Sequence, residues 1–155
     1  MSGVTDIDRG WKGIQSRLRR MDGAHSKIGI QQGTTRENEG VSGTSDMVII
    51  AAANEFGAPK RSIPARPFMR NAFDKNRQAI GRLQDKLFGA VTVGNVTPEK
   101  ALSMIGEMHK GQVQKEIVDL QFPPNVPSTI KRKGSSNPLI DTGQLRQSIQ
   151  HVEMM

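Results

Sequence analysis

The chain has 155 residues, of which 35% are apolar and 4% aromatic, with a formal net charge of +7 and no cysteine. That is one domain's worth of sequence with a thin core, and the missing thiols exclude disulfides, thiolate metal sites and a cysteine nucleophile. The longest apolar run, Met47 to Ala53, falls far short of the roughly 20 residues of a membrane span, and the N-terminus lacks a signal peptide's basic start and apolar core. The expectation is a soluble protein made in the cytoplasm.

In chain order, Ile7, Trp11, Ile14, Leu18 and Met21 recur at steps of four and three, with Arg9, Lys12, Arg17, Arg19 and Arg20 on the other faces. The spacing predicts an amphipathic helix, capped by Asp6 or Asp8 and stopped at Asp22-Gly23. Ser26 to Gln31 alternates Ile28 and Ile30 with small or polar residues and reads as a short strand. Gln32 to Ser45 is Gly/Ser-rich with almost nothing to bury, and reads as a long flexible loop or an arm that orders on a partner. MVIIAAANEF has strand-like β-branched residues, but its Ala run, a Ser45 or Asp46 cap and a Gly57 stop favour a buried helix.

Pro59, Pro64 and Pro67 then stiffen Ala58 to Arg66 in an extended, non-helical form. Pro67 opens a helix with Met69, Phe73, Ile80, Leu83 and Leu87 on one stripe, expected to reach about Phe88; VTV within Gly89 to Asn95 is a short strand or a linker. Thr97-Pro98 starts a helix expected over Pro98 to Asp119, ended by Pro123, Pro124 and Pro127. KRKGSSNP reads as a polar loop, and Thr142-Gly143 opens a last short helix, Gln144 to Ile149. These elements make an α+β fold: several amphipathic helices packed on a small antiparallel sheet, with long loops, in a single domain over residues 1–155.

Few residue sets suggest catalysis. His25, His109 and His151 are far apart, and none has a second His or a carboxylate at helical metal-ligand spacing, so no metal is expected. The glycines from Gly29 to Gly43 form no phosphate cradle, and no cofactor is implied. Leu139-Ile140-Asp141-Thr142-Gly143 matches the turn of retroviral-type aspartic proteases, which share a proton between two such Asp residues. The strand pattern of that fold is missing, however, and Asp141 or Thr142 as a helix cap explains the same letters. The basic residues cluster in Arg9 to Arg20, Lys60 to Arg70 and Lys131 to Lys133, which would attract nucleic acid or an acidic protein surface. Five Phe, one Trp and no Tyr give little for base stacking.

Two segments stand out: Glu55 to Phe73, EFGAPKRSIPARPFMRNAF, and Asn137 to Ile149, NPLIDTGQLRQSI. Each is a Pro/Gly loop running into a helix. In the first, a rigid segment bearing Lys60, Arg61, Arg66 and Arg70 can dock on an acidic neighbour at low entropic cost, Arg66 by a planar two-bond contact, while Phe68 and Met69 tuck into the core. Together, Glu-Phe-Gly, Pro-Ala-Arg-Pro-Phe and Thr-Gly-x-Leu-x-x-Ser-Ile resemble the tail-completion, or neck, proteins of long-tailed bacteriophages, the group that includes lambda minor tail protein Z. Relatives often continue after the Ser-Ile into another strand.

The resemblance implies a non-enzymatic virion protein, assembled in the host cytoplasm as a homo-oligomeric, hexameric ring at the head-proximal end of the tail. It would contact tail-tube, terminator or head-tail connector proteins, with genomic DNA passing through its lumen unread. Its interface candidates are Lys60, Arg61, Ile63, Arg66, Phe68, Arg70, Asp141, Thr142 and Gly143. The rival readings are a tail-terminator capping the tube and a small basic DNA-binding protein.

Overall fold

A computed structural model describes residues 8–31, 33–36 and 45–155. The elements are α1 (Trp11–Met21), β1 (His25–Ile30), β2 (Thr35–Arg36), β3 (Ser45–Asp46), α2 (Met47–Phe56), α3 (Phe68–Val93), α4 (Pro98–Asp119), α5 (Pro127–Lys133), α6 (Gln144–Gln147) and β4 (Ile149–Met154), with a 3-10 turn at Pro59–Arg61. The fold is α+β, with helices packed on a small two-stranded antiparallel sheet.

The frame is the antiparallel pair α3 and α4. Gly94, left-handed at φ 88°, ends α3, and the Thr97 side chain accepts the Lys100 N–H at 3.3 Å to start α4 with Pro98 in its first turn. Across the pair, the Lys75 ammonium reaches both carboxylate oxygens of the buried Glu116 at 2.7 Å, which satisfies a charge that would be costly to bury alone. One core gathers Met47 and Ala51 of α2, Phe68 and Ala72 of α3, Val113 and Ile117 of α4, Leu145 and Ile149. A smaller core joins Leu87, Val91 and Ala101, with Met21 of α1 packed against it.

Strand β1 pairs with β4 in register, Ile28 opposite His151 and Lys27 opposite Val152, and both strands lie on α4. Gly106 permits that approach: a Cβ there would stand 2.4 Å from His151 Cδ2 and 2.6 Å from Ser26 Oγ. On the same helix His109 faces the Phe73 ring, centroids 5.9 Å apart, and burial lowers its pKa below 6.5. The unfolded chain therefore takes up this proton first, so the contribution of His109 to stability is whole above pH 6.5 and is lost as pH falls through the lower folded value. Thermal melts between pH 7.5 and 5.5 are expected to show a falling midpoint, and His109→Gln a shallower fall.

Helix α1 starts as expected, with Asp8 Oδ1 accepting the N–H groups of Gly10 and Lys12 at 3.0 and 3.4 Å; Asp6 lies outside the described residues. Its basic face is partly spent inside the molecule. Arg17 donates to the Thr92 carbonyl at 2.8 Å, near the C-terminal end of α3, and Arg20 pairs with Glu99 in the first turn of α4. Trp11 stays 61% exposed.

Several expectations are corrected. Helix α3 continues to Val93 because Val91 is completely buried against the smaller core, so VTV is neither strand nor linker. Residues 127–133 of the expected polar loop and its approach form α5, which places Lys131, Arg132 and Lys133 at the negative end of the helix dipole. Ala58 to Arg66 is not wholly extended, since Pro59–Arg61 turns as a 3-10 helix. The last helix stops at Gln147, and Ile149 begins β4. Helix α2 is capped by Asp46 as expected but is only half buried: Ile49 is 66% and Phe56 70% exposed. In the expected loop at 32–45, Thr35–Arg36 pairs with Ser45–Asp46, and the remainder, apart from Gly33 and Thr34, lies outside the described residues.

Candidate functional site

The two sequence segments fold against each other and frame one cleft of about 1050 Å³. The first wall is built by a local device. Glu55, at the end of α2, turns its carboxylate onto the N-terminus of α3, where Oε2 accepts the Met69 N–H at 2.9 Å and Oε1 the Arg70 N–H at 3.1 Å. A carboxylate on free N–H groups at the positive end of a helix is a favourable cap. Between cap and helix, Gly57 is held at φ 78°, and a Cβ on it would meet the Ala65 nitrogen at 3.0 Å. The intervening residues close as a tight turn, with Ala58 and Ile63 exchanging main-chain hydrogen bonds of 2.9 and 3.2 Å. Glu-Phe-Gly is thus the fitting that clamps the Pro-Ala-Arg-Pro-Phe loop to α2. Glu55→Ala is expected to cost about 1 to 2 kcal/mol, read as a lower denaturation midpoint with the slope unchanged, while Glu55→Gln recovers part of the loss.

The second wall is tied to the first through a partly buried polar chain. Arg66, 5% exposed, donates from Nε to the Pro123 carbonyl at 2.9 Å and from Nη2 to Asn125 Oδ1 at 3.1 Å and the Pro124 carbonyl at 3.4 Å. Asn125 in turn donates to the Asn137 carbonyl at 3.3 Å, and Asn137 donates to the Val118 carbonyl at 2.8 Å. The Asn137 side-chain oxygen accepts the N–H groups of Leu139 and Ile140 at 2.9 and 3.0 Å. The chain runs from one segment to the other and ends on α4. Burial lowers the Arg66 pKa from its ordinary value, yet a guanidinium stays charged in proteins, and it is this charge that three oxygens of the Pro-rich connection surround.

Of the nine interface candidates, Arg61, Ile63, Arg66, Asp141, Thr142 and Gly143 line the cleft. Lys60 and Arg70 are exposed beside it. Two candidates are corrected as surface groups: Phe68, 0% exposed, is a core residue, and Arg66 is a strut whose donors already serve the chain's own carbonyls. The residue at the N-cap of α6 is Gly143, left-handed at φ 82°, rather than the Asp141 or Thr142 expected there. The cleft mouth carries exposed apolar groups, Phe56 and Val126, and the cations Arg61 and Arg132. Such a rim can hold an apolar anchor among acidic groups.

Reasoning from sequence missed Glu55 as a cap, Asn125 and Asn137 as links, and Arg132 on the rim. Asn137 before Pro138 carried a turn signal that could have found it. Among the described residues, no three His, Asp or Glu side chains are grouped so as to hold a metal ion, and no helix is long and apolar enough to cross a membrane. Comparison with family models, with curated proteins and with solved structures finds no match to this chain.

Proposed function

We propose that this chain is a structural virion protein of a tailed bacteriophage, a tail-completion or neck protein that acts by binding rather than by catalysis. In this reading it assembles as a homo-oligomeric, hexameric ring at the head-proximal end of the tail and helps join the tail to the filled head. The observation that carries the reading is the convergence of its two signature segments: distant in sequence, they brace each other through Arg66, Asn125 and Asn137 and frame one cleft with an apolar and cationic mouth. The resemblance stated from those segments supplies the class; their convergence gives it a surface.

Ile49 and Phe56 lie on one side of α2 at a spacing of seven and are both largely exposed. An apolar stripe left open on a chain with a thin core is what a neighbouring subunit or ring covers. The DNA-binding reading is weaker, because Arg17 and Arg20 of the most basic helix dock that helix onto α3 and α4. Genomic DNA would pass through the ring without sequence recognition.

The test is the double substitution Phe56→Ser and Val126→Ser, supplied in place of the natural protein during particle assembly. The expected result is a variant with an unchanged circular-dichroism spectrum and a fall of at least tenfold in joined, infectious particles. A folded variant that supports normal joining would count against the cleft mouth as the docking surface.

A further inference from the structure

Among the described residues the sheet on α4 has two strands, and each has one edge with no strand paired to it. Strand β1 pairs on one side with β4, and β4 on one side with β1. Among the described residues no other main-chain hydrogen bond involves residues 25–30 or 149–154. The elements packed against β1 are β4 and α4, and those against β4 are β1, α4 and the preceding α6. Because N–H and C=O groups in a strand point alternately to its two sides, about half of those in each strand face outward without a strand to receive them. Open edges of this kind are templates for pairing with another chain.

We infer that these edges join copies of this chain head to tail, β1 of one copy pairing with β4 of the next, so that a continuous antiparallel sheet runs from subunit to subunit. The two edges match in length, six residues each. Their direction also fits. Placing copies side by side in the same orientation keeps every β1 pointing one way, and since β4 runs antiparallel to β1 inside a copy, it meets the next copy's β1 antiparallel as well. A two-fold dimer through a single edge would leave each copy's other edge bare, whereas head-to-tail pairing uses both and closes when the rotation closes.

The outward face fits such a seam. Lys27 stands opposite Val152, and His25 opposite Met154, all four exposed. Pairing would bring Val152 and Met154, 40% and 42% exposed, beside the β1 side chains of a neighbour. There the aliphatic stem of Lys27 can cover them. The inference rests on the ring reading for the statement that copies of this chain meet one another, and adds which surfaces meet.

The absence of natural cysteines makes the test direct. Tagged Lys27→Cys and untagged Val152→Cys chains are co-expressed, purified through the tag and treated with a mild oxidant, so that disulfides form between cysteines on adjacent strands but not across two strands; each variant is also treated alone, and the mass of the unaltered protein is measured by light scattering. The expected result is a tagged-untagged dimer as the main cross-linked product, with little product from either variant alone and a multimeric mass. Abundant cross-linking within a single variant would replace head-to-tail pairing by a two-fold contact. A multimeric mass without the mixed product would overturn the edge pairing and leave the ring standing. A monomer at every concentration would overturn both.

Discussion

Arg66→Ala is expected to lower stability by about 3 kcal/mol, because it strands buried acceptors and removes the packing of a long side chain. The Pro123 and Pro124 carbonyls and Asn125 Oδ1 all lose their donor. For a domain of this size that corresponds to roughly 10 °C in melting temperature. Arg66→Lys should recover little, since a single ammonium cannot span the carbonyls and the amide that the planar guanidinium joins. The sequence invited a different result, a docking arginine whose loss spares the fold and weakens a partner contact. A variant with wild-type stability would return Arg66 to the surface.

Gly106→Ala sets two effects of opposite sign against each other on α4. Alanine favours a helix interior over glycine by about 1 kcal/mol. Here its Cβ would press on His151 and Ser26 at distances of 2.4 to 2.8 Å, an overpacking that costs about 3 kcal/mol at the upper end of the usual range. The net expectation is a loss of about 2 kcal/mol, with the β1 and β4 pair pushed away from α4. Gly111→Ala, on the same helix, meets nothing within 4 Å and should instead raise the melting temperature by a few degrees, since only the propensity gain remains. Urea denaturation of the two variants beside the parent protein reads both signs. Equal effects would mean that the sheet does not rest on Gly106.

How legible each element was depended on whether its determinants were local. Helix α4 was readable to the residue because Thr97, Pro98 and the later prolines are local signals. Helix α3 was read too short, since Gly89 looked like a stop and only the distant Ala101 cluster explains why Val91 stays helical and buried. Strand β4 escaped notice for a different reason: its helix-facing residues after Ile149 are His151 and Glu153, so the alternation that marks a strand is polar on the inside and Val152 and Met154 lie outside.

The site was half legible in the same sense. Its two segments stood out by their Pro, Gly and Arg content, but what joins them did not. Glu55 caps a helix from outside the three-residue spacing of a capping box, and Arg66 bonds mainly to main-chain carbonyls, which leave no mark in a sequence. The apolar run of α2 gave the helix without saying which face would stay open, and the structure opens Ile49 and Phe56.

The central claim, that this chain completes a virion by binding and not by catalysis, is tested most directly by electron microscopy of particles made from a genome lacking its gene. The account predicts DNA-filled heads and separate, unjoined tails, with restoration when the chain is supplied in trans. Normally joined, infectious particles in its absence would contradict it.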